Sequence, residues 1–262
     1  MIAMAEFEHL ASYRLYSDDV SSNFRYIRTA VPEQFLEAVR TTASKREQDI
    51  KCGTTLWRAQ LGCAWEKVEE KEGWGLPRPH PPERMKPLVN RAIEGRANPK
   101  GIPVLYLATE RDTAMQEVRP WIGSLVSVAS FEVKRDLRVI DCSKGSIEGK
   151  HLWNELIARW GILSPNDLEL SNWTFIDEAF AEPVNRSDDV ADYAPTQIIA
   201  ELFKREQYDG MKYRSALSAT GHNVAFFDMT AAEVVSREVL TVSKINAEFK
   251  EAHPGIALDA RF

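Results

Sequence analysis

The sequence predicts one domain of the mixed α/β (α+β) class, with a β core surrounded by helices. Five short runs alternate apolar and polar side chains in the manner of half-buried strands, at 55–60, 104–109, 125–133, 210–215 and 223–228. Helical spacing of apolar residues occurs before and between these runs. The chain has 262 residues, of which 44% are hydrophobic. A single domain of this size can bury a sizeable core.

The first part of the chain predicts a helical extension. Residues 1–30 are polar and show no clear apolar pattern. Pro32 then suits the first turn of a helix, and Phe35 and Val39 follow it at helical spacing. We expect residues 1–50 to form a helical N-terminal extension.

The middle of the chain predicts mainly strands, with one loop and one short helix. Residues 73–82, GWGLPRPHPP, hold too many prolines and glycines for a regular element, so we expect a surface loop there. Residues 112–118 predict a short helix with Asp112 as its N-cap. Strands at 125–133 and 137–140 follow.

The last part of the chain predicts a helical insertion before the final strands. Three helical segments fit within 152–205, and the clearest is 196–205, whose apolar residues share one face. We place the insertion at about 144–195, a last strand at 234–242 and a C-terminal tail at 244–262.

Composition and charge exclude several classes of protein. The formal net charge is −6, from 33 Lys and Arg against 39 Asp and Glu, so we expect no direct nucleic-acid binding. Three cysteines, Cys52, Cys63 and Cys142, form no C-x-x-C pair and predict neither a disulfide framework nor a thiolate zinc site. The N-terminus does not resemble a secretory signal, and no run approaches the ~20 apolar residues of a membrane span. We expect a cytoplasmic protein.

The common catalytic motifs are missing from the sequence. It contains no G-x-x-x-x-G-K-[ST], G-x-G-x-x-G, H-E-x-x-H or G-x-S-x-G. Its five histidines are scattered, with no pair one helical turn apart that could hold a metal. The sequence therefore does not indicate a P-loop NTPase, a Rossmann dehydrogenase, a zinc protease or an α/β-hydrolase.

One loop has the composition of a phosphate site. Arg96 follows Gly95 and precedes Asn98 and Gly101, so the backbone can turn tightly and present N–H groups beside a guanidinium. A plain β-turn with a solvated arginine explains the same residues.

Four further polar residues occur where a sheet or its covering helix favours apolar ones. Each has an ordinary structural explanation: an arginine that faces solvent, a tyrosine in the core, a solvated helix position and a serine that closes a turn. These residues are Arg58, Tyr106, Glu117 and Ser215.

Taken in order, these residues resemble the RES (Arg-Glu-Ser) domain family. Residues 95–117, GRANPKGIPVLYLATERDTAMQE, resemble the family's G-R-x-N loop, V-x-Y-x-A strand and helix glutamate. Residues 208–215, YDGMKYRS, and 221–227, GHNVAFF, resemble its second block. Residues 56–58, LWR, resemble its first-strand arginine. The resemblance covers 54–228.

The resemblance implies an ADP-ribosyltransferase-like fold and a catalytic domain over residues 51–243. Studied members of the family are toxins that consume NAD⁺, some by phosphorolysis, and a partner antitoxin with a helix-turn-helix domain restrains them. We therefore expect NAD⁺ as substrate, inorganic phosphate as one acceptor, no metal or other required cofactor, and an antitoxin partner. A homo-oligomer is left open.

The resemblance also implies roles for individual residues. Glu117 would stabilise the positive charge that develops as the nicotinamide–ribose bond breaks. Arg58 and Arg96 would neutralise the pyrophosphate. Tyr106 would stack on the nicotinamide or its ribose, and Ser215 would position a ribose hydroxyl or the pyrophosphate. The implied catalytic set is Glu117, Arg96, Tyr106 and Ser215, and the implied binding set is Arg58, Arg96, Asn98, Tyr106 and Ser215.

Two other functions stay open at this point. Ala97 stands where the family commonly has an aromatic residue, and the 144–195 segment is longer than in short members. That segment could dock a macromolecule as acceptor of ADP-ribose. In the second alternative the protein is a non-catalytic interaction module, and Arg58, Arg96 and Glu117 form a salt-bridge network under the sheet.

Overall fold

The alternating runs of the sequence form an eight-stranded mixed sheet, and the mixed α/β class is confirmed. The structure is a computed structural model, and it describes residues 6–67, 75–88, 91–146, 149, 163–182 and 190–246. The strands Ala64–Lys67 and Gly75–Arg78 form a separate two-stranded sheet. The strands are β1 (Glu47–Ile50), β2 (Thr55–Leu61), β3 (Ala64–Lys67), β4 (Gly75–Arg78), β5 (Leu105–Ala108), β6 (Leu125–Val133), β7 (Leu137–Asp141), β8 (Gly210–Arg214), β9 (His222–Phe226) and β10 (Ala232–Thr241).

Five α-helices occur in the described ranges; the third, fourth and fifth contact strands of the main sheet, and the first two pack against other helices. Trp173, Phe180 and Phe203 are fully buried in one core cluster with Ile140 and Met211 of the sheet. The helices are α1 (Ser12–Ser22), α2 (Ala30–Ala43), α3 (Arg111–Glu117), α4 (Pro165–Ala181) and α5 (Ala194–Arg205).

The sheet order places the family motifs on neighbouring strands. The order is β1-β7-β8-β9-β5-β2-β6-β10, with β7 and β8 parallel and the other pairs antiparallel. Strands β8, β9, β5 and β2 thus lie side by side although they come from opposite ends of the motif region. Strands β2 and β5 pair at one position in the described part, Trp57 with Ala108.

The N-terminal region differs from the prediction in two ways. Residues 12–22 form the helix α1, which the sequence does not predict. Its apolar pattern is weak because only Tyr16 and Val20 of this helix are buried. The extension also contributes a strand, since β1 pairs with β7 through Glu47 and Ile140. The helix expected after Pro32 is confirmed as α2.

Two local predictions in the middle of the chain are wrong. Within the expected 73–82 loop, β4 pairs with β3, and Pro77 lies opposite Trp65. Proline is tolerated in such a strand because an edge position needs no donor from it. The short helix α3 begins at Arg111 with Glu110 as N-cap, and Asp112 lies in its first turn without capping it.

Part of the predicted insertion and tail lies outside the described residues. Of the three helical segments expected within 152–205, α4 and α5 are observed, whereas 150–162 is not described. The same holds for 247–262 of the tail. Among the helices that are described, none is both long and apolar enough to span a bilayer.

Candidate active site

The loop at 95–98 is joined to β5 by the hydroxyl of Tyr106. This hydroxyl donates to Asn98 Oδ1 at 2.7 Å and accepts the Ala97 N–H at 2.9 Å. A Cβ added at Gly95 would lie 2.7 Å from the same hydroxyl oxygen, so the backbone approaches the phenol more closely than a side chain allows. Asn98 is buried, and its amide donates to three loop carbonyls.

The backbone amides expected to face a phosphate are used within the loop. The N–H groups of Gly95 and Asn98 donate to each other's carbonyls at 2.9 and 3.2 Å. The Ala97 N–H donates to Tyr106, and the Gly101 N–H donates to the Ala92 carbonyl. These four amides are therefore engaged within the protein, and the Arg96 side chain remains as a cationic group of the loop.

Arg96 connects this loop to α4. Its Nη1 donates to the carbonyl of Phe180, in the last turn of α4, where carbonyls have no partner within the helix. A cation at a helix C-terminus also interacts favourably with the helix dipole. Arg96 therefore caps α4, while its other nitrogen atoms have no bond within the described part of the chain.

Arg58 lies where β2 and β5 separate. Its Nη1 donates to the carbonyl of Tyr106 at 2.9 Å, and its Nε is buried without a partner among the described residues. Burial lowers the pKa of Arg58 to about 10, and the nearby Tyr106 phenol partly opposes this change. The guanidinium therefore remains charged at neutral pH.

Glu117 is held by two neutral hydrogen-bond donors. Its Oε1 accepts the Ser215 hydroxyl at 2.7 Å and the Asn223 side-chain amide at 2.7 Å. The Ser215 oxygen in turn accepts the Leu217 N–H at 3.1 Å. Glu117 Oε2 has no partner in the ranges that are described, so the carboxylate is oriented and keeps one oxygen for a ligand.

Tyr106 and Asn223, the residue that donates to Glu117, lie on the same face of the sheet. Tyr106 pairs with Ala225 and Ala108 with Asn223 between β5 and β9. Alternate residues of a strand share a face, and two residues span ~7 Å. On the other side of β9, Tyr213 pairs with Asn223. Burial raises the pKa of the Tyr213 hydroxyl, and the nearby Tyr106 raises it further.

An open groove of about 810 Å³ begins at this part of the sheet. Its lining includes Arg58, Asn98 and Tyr106 of the predicted set, and also Val118, the residue after Glu117. Glu117 itself is not among the lining residues, and neither are Arg96 and Ser215. The structure therefore joins Arg58 to Tyr106 and Ser215 to Glu117, and a cleft shared by all five predicted residues remains a prediction.

The groove is cationic although the chain as a whole is acidic. Arg84, Lys86 and Arg91 line it together with Arg58, against one carboxylate, Glu83. Lys86 Nζ forms an ion pair at 2.7 Å with Glu233, a residue outside the groove lining. Such a surface suits an anionic ligand with an apolar part. The described residues contain no cluster of three or more His, Cys, Asp or Glu side chains that could bind a metal.

Two residues outside the predicted set support the site. Asn223 donates to Glu117 and belongs to the GHN block at 221–223, which was the available signal for it. Gln197 on α5 donates to the carbonyls of both Gly95 and Asn98 at 3.0 Å. No motif indicates this second contact, because it joins positions about 100 residues apart in the chain.

The salt-bridge network of the interaction-module hypothesis is not found in the described part of the chain. Arg58 and Arg96 donate to backbone carbonyls, and Glu117 accepts from neutral side chains. The three charges are therefore not used to neutralise one another, which leaves them available to a ligand.

Comparison with known proteins identifies one family. Residues 55–248 match the model of the RES domain. No curated protein matches the chain. A chain in the crystal structure of the M. tuberculosis MbcT–MbcA toxin–antitoxin complex is similar, with 15% identity, coverage of 78% of this chain and 92% of that chain, and a TM-score of 0.40. A likeness at this level is too distant to support a function.

Proposed function

Because the chain belongs to the RES domain family, we propose that it is an NAD⁺-degrading enzyme that cleaves the bond between nicotinamide and ribose. The observation that carries the proposal is the Glu117 carboxylate, which two neutral donors orient through Oε1. The family resemblance adds that studied members consume NAD⁺ as toxins. We extend the proposal to a toxin that a partner antitoxin with a helix-turn-helix domain restrains.

Glu117 acts on the charge that develops during bond cleavage. As nicotinamide leaves, the ribose becomes an oxocarbenium-like cation, and a carboxylate stabilises this cation more strongly than the ground state. Glu117 Oε2 accepts a hydrogen bond from a ribose hydroxyl, while Ser215 and Asn223 keep Oε1 in place. The carboxylate therefore does not need to reorient as charge builds up.

The groove supplies binding for the rest of the dinucleotide. Its volume of about 810 Å³ falls in the range of small-molecule sites, roughly 300–1,000 Å³. Arg58 in the groove lining and Arg96 of the 95–98 loop, which is outside that lining, neutralise the pyrophosphate. The Tyr106 hydroxyl is engaged by Asn98 and Ala97, so its ring is the part that contacts the nicotinamide end. Asn98 serves the site by shaping the loop.

The products of NAD⁺ breakdown test the proposal and identify the acceptor. Purified full-length protein is incubated with NAD⁺ in the presence and absence of inorganic phosphate. A hydrolase should release nicotinamide and ADP-ribose both with and without phosphate. A phosphorylase should release nicotinamide only when phosphate is present, together with phosphorylated ADP-ribose. ADP-ribose attached to a protein or nucleic acid would identify a transferase instead. Intact NAD⁺ under both conditions contradicts the proposal.

A further inference from the structure

Helix α4 contacts the strand end that carries Ser215. Asp177 on this helix is fully buried, and its carboxylate accepts two hydrogen bonds from one residue, Arg214. Oδ1 accepts the Arg214 backbone N–H at 3.0 Å, and Oδ2 accepts the Arg214 Nε–H. Arg214 is the last residue of β8, directly before Ser215.

The backbone contact replaces a missing strand partner. The Ser215 N–H donates to Gly221 in the direction of β9, so the preceding N–H, of Arg214, points to the opposite side of β8. The neighbour on that side is β7, but its pairing with β8 ends at Asp141 and Lys212. Asp177 supplies the acceptor that β7 no longer provides.

This contact leads directly to Glu117. With the backbone of Arg214 fixed, the next residue, Ser215, is directed to Glu117 Oε1. We propose, on the basis of the function assigned above, that Asp177 is a positioning residue for the Ser215–Glu117 pair. The inserted helix α4 is thus a working part of the active site, to which it is also joined through Phe180 and Arg96.

The substitution Asp177→Asn tests this role. An amide can accept from the Arg214 N–H, but its NH₂ then faces the Arg214 Nε–H, so one donor meets another. We expect kcat to fall on the order of tenfold to a hundredfold because small misplacements of reacting groups have costs of this size. KM should stay within about threefold, since no binding residue is changed.

A double variant separates positioning from general damage. The side-chain oxygen of glutamine can occupy the place of the arginine Nε, so Asp177→Asn with Arg214→Gln restores a matched, neutral pair. We expect its kcat to return to within about fivefold of wild type. The matched control is Asp141→Asn, which removes the charge of Asp141 on β7 from its partly buried 2.7 Å ion pair with Lys212 on β8. Because this pair does not hold Arg214 or Ser215, kcat should stay within about twofold of wild type.

Hydrogen exchange gives a result that does not depend on turnover. In Asp177→Asn the peptide covering 212–217 should exchange faster, with no change over 125–133. Wild-type kcat in Asp177→Asn, a double variant no more active than the single one, or unchanged exchange over 212–217 each overturns the inference. Should the single variant not fold, the kcat of the double variant decides. A value within about fivefold of wild type supports the role of Asp177, and a lower value overturns it. A wild type that leaves NAD⁺ intact refutes the proposed function, and the exchange result then decides the role of Asp177.

Discussion

The functional side chains of the candidate site are fixed by hydrogen bonds to neutral groups. Glu117 is held by a hydroxyl and an amide, and Arg58 and Arg96 each donate to a backbone carbonyl. A charged group held in this way keeps its full charge for a ligand, because no opposite charge neutralises it. A salt-bridged glutamate would attract a developing cation less strongly.

Asn223→Ala should lower the rate of NAD⁺ cleavage because Glu117 loses one of its two donors. A hydrogen bond to a charged group contributes ~1.5–3 kcal/mol, so we expect kcat to fall roughly tenfold to a hundredfold. Steady-state kinetics measure this effect. Asn23→Ala, which removes an exposed amide that donates to Asp19 at 2.9 Å, is the control. Equal kcat values for the two variants would show that the amide does not assist Glu117.

At the scale of elements, the strands were predictable and several other features were not. Strands β2 and β8 alternate because each has a more buried and a less buried face, whereas β6 is buried along almost its whole length. Helix α1 has only two buried residues, so its apolar pattern does not show, and β4 contains a proline, which is unusual in a strand. The contact of Arg96 with Phe180 joins a side chain to a backbone carbonyl 84 positions away. Sequence patterns contain no trace of such a contact, because every residue has a carbonyl.

The same reasoning applies within the candidate site. The family resemblance singles out Glu117 and Ser215, and the structure joins them by a hydrogen bond. Asn223 belongs to the GHN block of the resemblance, but its contact with Glu117 depends on the topology of the sheet. The role of Asp177 depends on where β7 stops pairing with β8, which is a property of the fold.

Gly95→Ala tests the close contact between the loop and β5. The new Cβ would crowd the Tyr106 hydroxyl and destabilise the fold by ~1–3 kcal/mol. Tyr106→Phe alone removes two hydrogen bonds and leaves the Asn98 oxygen and the Ala97 N–H without this partner, which costs ~1–3 kcal/mol. The double variant should lose at least ~0.5 kcal/mol less unfolding free energy than the sum of the two single variants, because the phenylalanine removes the oxygen that clashes with the new Cβ.

Urea unfolding of the four proteins of this cycle measures the coupling. The NAD⁺-binding affinity of the Gly95→Ala protein should also fall, because the displaced phenol moves the loop that carries Arg96. Strictly additive unfolding free energies would mean that the loop and the strand do not contact each other as described.

At the scale of the whole molecule, the charge of the groove opposes that of the chain. The chain carries −6 overall, whereas Arg84 and Arg91 add exposed positive charge at the groove. Local cations attract an anionic ligand even when the net charge is negative, and salt screens the attraction over ~10 Å at 0.1 M.

Replacing Arg84 and Arg91 together by alanine should therefore raise KM for NAD⁺ about threefold to tenfold at low salt, with kcat unchanged. The effect should shrink as salt is added. The matched control replaces Lys204 and Arg205, two exposed cations at the end of α5 outside the groove lining. A control that raises KM equally would assign the effect to net charge and remove the groove from the substrate path.

The central claim, that Glu117 stabilises the transition state of nicotinamide–ribose cleavage, is tested most directly by the kinetics of Glu117→Gln. Glu201→Gln, at an exposed position on α5, is the control. Glutamine keeps the size of the side chain and loses its charge, so kcat should fall about a hundredfold or more, with KM within about threefold. Growing cells should tolerate Glu117→Gln and arrest with wild type and Glu201→Gln. Full activity of Glu117→Gln on NAD⁺ would contradict the account.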